Sequence, residues 1–164
     1  MAMKDLANNQ LVTQLYKPQS NTSSGATVNS AVLDIATKTG VMIVWAVGEH
    51  GGTTSGSLKH HVVLMHSDAS GSGFANVTDA KDVSFGSVDA SGIWATVDAP
   101  ADEEQNYQIG YTGSKRYVRI GIVATGNHSA GIPMAINAIT SGRHNPQAGS
   151  ANGTKGHLTA SGNA

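Results

Sequence analysis

The 164-residue sequence contains no cysteine. Disulfide frameworks, thiolate metal sites and cysteine nucleophiles are thereby excluded. Charge is also scarce: ten Lys and Arg against eleven Asp and Glu, a formal net charge of -1. That balance argues against a strongly basic nucleic-acid surface and against an acidic solvating tail. Aromatic residues reach only 5% of the chain, too few for a large aromatic-lined pocket. Leu, Ile, Val and Phe total 32 residues, just under the ~20% level associated with disorder. Disordered chains pair that shortage with high net charge, which is missing here. The longest strongly apolar run, Val41 to Val47, falls far short of the ~20 residues that cross a bilayer. The first nine residues lack the basic-then-apolar order of a signal peptide. The expectation is a folded, soluble, single domain that holds itself together without covalent staples.

What the chain does contain favours strands. Val (14) outnumbers Leu (7), and Val, Ile and Thr together supply 37 β-branched residues. Such side chains are stiff at χ1 and suit a pleated sheet. No window carries a sustained helical stripe; short apolar runs alternate with Gly, Asn, Asp and Ser clusters, the pattern of a sandwich or barrel. We expect an all-β chain with a single, jelly-roll-like β-sandwich.

Gln10–Tyr16 reads as a first strand stopped by Lys17-Pro18, and Thr27–Ile35 as a second. Val41–Val47, apolar on both faces, reads as a central strand covered on both sides. A long strand follows at Ser57–His66, with shorter ones at Phe74–Val77, Val83–Val88 and Ile93–Val97. Tyr107–Tyr111, Arg116–Ala124 and Ile132–Ile139 complete the set. Arg116–Ala124 alternates most cleanly, with Val118, Ile120, Ile122 and Ala124 on the core face. Asp98–Glu104, with Pro100 among acids, reads as a loop or one helical turn. The boundaries expected are an N-terminal arm at 1–9, a sandwich domain at 10–146 and a Gly/Ala/Ser/Asn-rich C-terminal arm at 147–164.

Few residue constellations carry chemistry. His60 and His66 share a strand face but stand roughly 20 Å apart at ~3.3 Å per residue, and His60 and His61 point to opposite faces. No H-E-x-x-H motif is present, so these histidines read as exposed or interface residues rather than ligands. The segment Gly149–Gly156 has the wrong spacing for a phosphate loop, and Gly48–Gly56 is not followed by a helix; both read as flexible loops. Gly52-Thr53-Thr54-Ser55-Gly56 misses the nucleophile elbow. The acids Asp102, Glu103 and Glu104 read as a solvated loop. Lys115, Arg116 and Arg119, with Arg143 further on, form the only local charge concentration. They read either as a contact surface or as turn decoration, with Arg119 paired to an acid. Trp45 is expected in the core, and Trp94 in the core or as an inter-subunit anchor. No catalytic residue, cofactor or metal is expected.

The stretch Gly110-Tyr-Thr-Gly-Ser-Lys-Arg-Tyr-Val-Arg-Ile120 and the closing Arg143-His144-Asn145-Pro146 resemble a family of small tailed-phage and prophage proteins encoded among virion structural genes. Members carry a G-Y-x-G-S-K-R-Y-V-R-V stretch and a closing R-H-x-P. Asp5-Leu6, Ala31-Val32-Leu33-Asp34 and the apolar strand ending in Val47-Gly48 extend the resemblance over about residues 5–146. It implies a non-enzymatic virion component, foremost a capsid decoration (cement) protein on the outer capsid surface, made in the host bacterial cytoplasm. The implied partners are the major capsid protein and further copies of the chain, as a homotrimer, with no nucleic acid, membrane or small-molecule substrate. A head–tail, tail or head-fibre component with a glycan-binding role is the alternative. On this reading Lys115, Arg116, Arg119, Arg143 and Trp94 are the candidate capsid or inter-subunit contacts.

Overall fold

A computed structural model of the protein describes residues 10–22 and 24–142. Among these residues the chain forms strands β1 (Gln10–Asn21), β2 (Thr27–Asn29), β3 (Leu33–Asp34), β4 (Lys38–Val47), β5 (Lys59–Ser67), β6 (Ala75–Asn76), β7 (Val83–Ser84), β8 (Ile93–Val97), β9 (Asn106–Tyr111), β10 (Tyr117–Thr125) and β11 (Ile132–Gly142). Helical structure is limited to two single 3-10 turns, Ala80–Asp82 and Pro100–Asp102. The second is the turn expected in the acidic segment.

All pairings are antiparallel. One sheet runs β1-β11-β4-β9-β7. The other runs β2-β10-β5-β6, with β3 also on β10 and β8 also on β5. With β2 and β3 taken as one interrupted strand, the long strands order as β1-β11-β4-β9 facing β2/β3-β10-β5-β8. That is the order of a jelly roll, in which consecutive strands mostly change sheet. The expected all-β sandwich is therefore the fold. The proposed arms at 1–9 and 147–164 lie outside the described residues.

The core forms where the inward faces of the two sheets meet. Ile43, Trp45 and Val47 from β4, Ile132, Met134, Ile136 and Ala138 from β11, and Ile109 and Tyr111 from β9 face Val62 and Leu64 of β5 and Val118, Ile120 and Ile122 of β10. The alternation read in 116–124 holds: Val118, Ile120, Ile122 and Ala124 are buried. Trp45 joins the layers, lying edge-on to Trp94 of β8 at 6.4 Å between ring centroids and tilted over Tyr107 at 5.3 Å. Trp94 thus turns toward the core, half-buried, rather than outward as an inter-subunit anchor.

Three expectations need correction. β1 does not stop at Lys17-Pro18 but continues to Asn21, with register shifts between Gln14 and Gln19. β1 is an edge strand, where proline's missing N–H need not break a ladder bond, and the bulges absorb the misfit. The span 27–35 is not one strand. At Ser30 the chain leaves the ladder: its N–H donates to the Ile120 carbonyl (2.8 Å), while its Oγ accepts the Ile120 N–H (3.0 Å). The Ala31 N–H then donates to the Leu15 carbonyl in the opposite sheet (2.8 Å), tying the layers together at this margin. Finally, β4 is central, but the described residues cover it on one side only. Met42, Val44 and Ala46 point away from the sandwich and stay partly exposed.

One glycine is required by its backbone. Gly92 has φ +79°, and a Cβ there would come within 2.9 Å of the Asn76 Cβ and 3.0 Å of the Val77 carbonyl. It closes the Asp89–Gly92 turn before β8, where Asp89 Oδ1 accepts the N–H groups of Ser91 and Ile93. Ile120 is fully buried between the sheets. Ile120→Ala is expected to lower unfolding free energy by about 2–5 kcal/mol, read as a reduced urea midpoint at unchanged slope.

Candidate functional site

The two ends of the sandwich carry different polar groups. At one end the loop after β4, the start of β5 and the loop after β10 bring together His50, His60 and His128, all buried. His60 is in phase with Val62 and Leu64, so the alternation of β5 drives it inward. The expectation of exposed or interface histidines fails here. His61 is half-buried on the other face, and His66 shares a 2.9 Å hydrogen bond with the Tyr111 hydroxyl.

The hydrogen bonds run in one direction and set each tautomer. The Gly52 N–H donates to His50 Nδ1 (2.8 Å), so the neutral His50 ring carries its proton on Nε2. That N–H donates to His128 Nδ1 (3.1 Å), and His128 Nε2–H donates in turn to the Thr125 carbonyl (2.8 Å). Every lone pair in this relay is used between protein groups. His60 lies over His128 with 3.8 Å between ring centroids, and neither of its nitrogens has a hydrogen-bond partner. Among the described residues no group of three or more His, Asp or Glu side chains is arranged to hold a metal ion. Burial, reinforced by the neighbouring His128, His50 and His61, pushes the His60 imidazole from its ordinary 6.5 down to about 3.

Glu103 closes this end. Its carboxylate accepts the His50 N–H (3.0 Å) on Oε2 and the Thr54 hydroxyl (2.7 Å) on Oε1. It is therefore a tether for the glycine-rich loop rather than a solvated acid, and the loop is held rather than loose. The adjoining Gly51 N–H donates to the Gly131 carbonyl (3.0 Å). Nothing local in the sequence marks this cluster, because His50 and His128 are 78 residues apart.

At the opposite end stand Lys115 and Arg116, in the β9–β10 connection. Lys115 Nζ pairs with Asp68, and Lys115 N–H donates to the Tyr111 hydroxyl (3.2 Å). Arg116 grips Asp34 with two hydrogen bonds, Nε to Oδ1 at 3.0 Å and Nη2 to Oδ2 at 2.7 Å. The Arg116 guanidinium holds the Asp34 carboxyl below its usual range, and the carboxylate raises Arg116 in turn. Burial raises the Tyr111 phenol to about 12. Arg119 lies apart, on the outer face of β10, with its Cζ 4.1 Å over the Phe74 ring. The acid expected to pair with it, in this chain or a neighbour, is not among the described residues; its aliphatic stem and guanidinium cover an aromatic instead. The four candidate cations therefore do not form one basic patch: two are neutralised by Asp68 and Asp34, Arg119 stands separately, and Arg143 lies outside the described residues.

Compared with known proteins, the chain matches no family model and no curated protein.

A histidine held neutral by the fold takes up protons more readily once unfolded. Its stabilising contribution is complete above pH 6.5 and declines as pH falls from 6.5 toward 3. The thermal midpoint should therefore drop by about 5–10 °C between pH 7 and pH 4.5, and His60→Leu should flatten that slope, measured by calorimetry. Glu103→Ala is expected to cost about 1–3 kcal/mol and to speed amide exchange at His50 while leaving the β10 amides protected.

Proposed function

We propose that this protein is a structural component of a tailed-phage virion, a decoration protein that binds the outer surface of the capsid shell and stabilises it, in association with further copies of itself. The observation that carries this reading is the sheet built on β4. The sequence makes that strand apolar on both faces, yet the described residues cover only one of them. Such a strand suits a subunit completed by neighbours.

The polar groups support the same reading. His50 and His128 are joined to each other and to backbone, His60 is sealed in the core beside them, and the paired cations are neutralised within the chain, so these groups suit a structural role. Jelly-roll sandwiches serve widely as shell and binding modules, and fold alone does not assign function. The resemblance of residues 110–120 to virion proteins supplies the class. Attachment through many copies suits modest, mainly uncharged contacts, because avidity multiplies them.

Electron microscopy of particles made with and without the encoding gene tests the reading. The expected result is density on the outer shell at hundreds of copies, lost on deletion together with resistance of the shell to heat. Density restricted to a dozen or fewer copies at the neck or tail would overturn it.

One observation favours the glycan-binding alternative. Phe85 is 69% exposed and sits at φ +53°, at the rim of a cleft of about 590 Å³ lined also by Lys38, Thr39, Ser84, Thr112 and Ser141. A bulky residue in the left-handed region is uncommon and marks stored strain. Under that reading a glycan array gives binding that Phe85→Ala abolishes; under the decoration reading the array is blank.

A further inference from the structure

The outward face of the β1-β11-β4-β9-β7 sheet is ordered in rows by its register. One row is apolar: Val12, Ile139 and Met42 lie side by side, continuing through Gly110 and Ser84. Two residues further along the strands comes a row of Gln14, Asn137, Val44 and Gln108. Two residues further again lie Ala135, Ala46 and Asn106. None of these positions is charged, in a chain with 21 charged residues. The nearest charges are Lys17, exposed in the β1 bulge that opposes Ala135 at the end of the small row, and Lys38, beyond the rows on β4.

The relief of this face is self-complementary. Large side chains, Ile139 and Met42, stand in one row; small ones, Ala135 and Ala46, stand two rows away. Beside the small row lies an apolar depression of about 470 Å³ lined by Pro18, Val47, Gly48 and Pro133 as well as the two alanines. Rows two residues apart are separated by ~6.7 Å, so the large and small rows lie ~13 Å apart with the amide row midway.

We infer that this face is a two-fold interface between two copies of the chain, its axis running along the Gln14–Asn137–Val44–Gln108 row in the plane between the stacked sheets. Rotation about that axis reverses the strand direction and keeps each strand over its own mate. Met42 and Ile139 of one copy then sit over Ala46 and Ala135 of the partner, and the reverse, as an isologous contact requires. Val44 meets its own counterpart. The amides of Asn137, Gln14 and Gln108 meet amides, which both donate and accept hydrogen bonds. Sheets stacked in this way lie about 10 Å apart.

A second copy fits this face for two reasons. The face carries one charge at its margin, Lys17, and the two-fold sets the two Lys17 side chains on opposite sides of the axis, so the same surface can oppose itself with little like-charge repulsion. The twelve positions of the three rows, each ~4.8 Å by ~6.7 Å, give roughly 390 Å² in projection. Side-chain relief enlarges that toward the ~800 Å² per partner of a standard interface. The contact supplies the second cover that the described residues of one chain do not give the two-faced apolar β4. It does not depend on attachment to a capsid.

Sedimentation equilibrium on the full chain at tens of micromolar tests it. The expected species is a dimer, twice the 16.8 kDa chain mass, in place of the trimer that the resemblance implies. Val44→Lys and Val44→Asp should each give monomers with unchanged circular dichroism, since like charges then meet at the axis. Mixing the two variants should restore a dimer containing one of each. A monomeric wild type, whose sheet face is then covered by a terminal segment or by another protein, would overturn the inference. So would a trimer, a dimer that survives both variants, or a mixture that stays monomeric. If either variant fails to fold, Val44→Cys supplies the only thiol in the chain. A short bismaleimide should then link two copies at low concentration, and its failure to do so counts against the interface. Particle binding is read separately, so loss of the dimer and loss of the decoration role remain distinguishable.

Discussion

The sandwich depends on what β4 packs against. This strand sits in the middle of its sheet, between β11 and β9, and sends Ile43, Trp45 and Val47 into the interior. Trp45 is the largest of them and the one that touches aromatic rings from both layers, Trp94 in one sheet and Tyr107 in its own. The remaining interior is mostly Ile, Val and Leu, residues with few rotamers to lose on burial. A chain so poor in large apolar side chains can fill one two-layer core and little more. The inward faces of both sheets use that supply, and the described residues leave the outward face of β4 uncovered.

The ends of the sandwich are organised by polar groups that the chain satisfies internally. The histidine end has a single directional relay from Gly52 through His50 and His128 to the Thr125 carbonyl. His60 is the exception, a buried ring stacked on that relay without a hydrogen bond of its own. Burying it neutral is tolerable near pH 7, because an imidazole gives up its proton far more cheaply than a lysine would. The opposite end uses charge pairs, Lys115 with Asp68 and Arg116 with Asp34, all exposed enough to be screened by salt. Those pairs fix the β9–β10 connection more than they stabilise the fold. The first and last described residues, Gln10 and Gly142, also lie toward this end, where β1 pairs with β11 and β11 with β4.

These features separate surface from interior in a way that bears on function. Reactive groups that look promising in the sequence are consumed by local structure. The histidines bond to one another, the acid Glu103 ties down a loop, and two of the described cations are matched by carboxylates. What remains unmatched among the described residues is area: a sheet face with a single charge at its margin, Lys17, and large and small side chains in separate rows. Such a surface is what the proposed role as a shell component would use.

Much of the fold was legible in the sequence because strand alternation has a strict period of two. The burial of Val118, Ile120, Ile122 and Ala124, the limits of Ile93–Val97 and the two-faced apolarity of Val41–Val47 all follow from that period. Composition by itself determined that the fold is all-β, free of disulfides and low in charge. Neighbours decided the rest. Pro18 reads as a strand end, yet β1 passes through it because an edge position asks no ladder bond of it. His60 reads as exposed, and its phase with Val62 and Leu64 puts it in the core. Arg119 reads as half of an ion pair, and the chain offers it Phe74. The meeting of His50 with His128, and the alignment of Met42, Ile139 and Val12 in one row, join residues far apart in the chain. No local pattern encodes such meetings; they exist only once the register between strands is set.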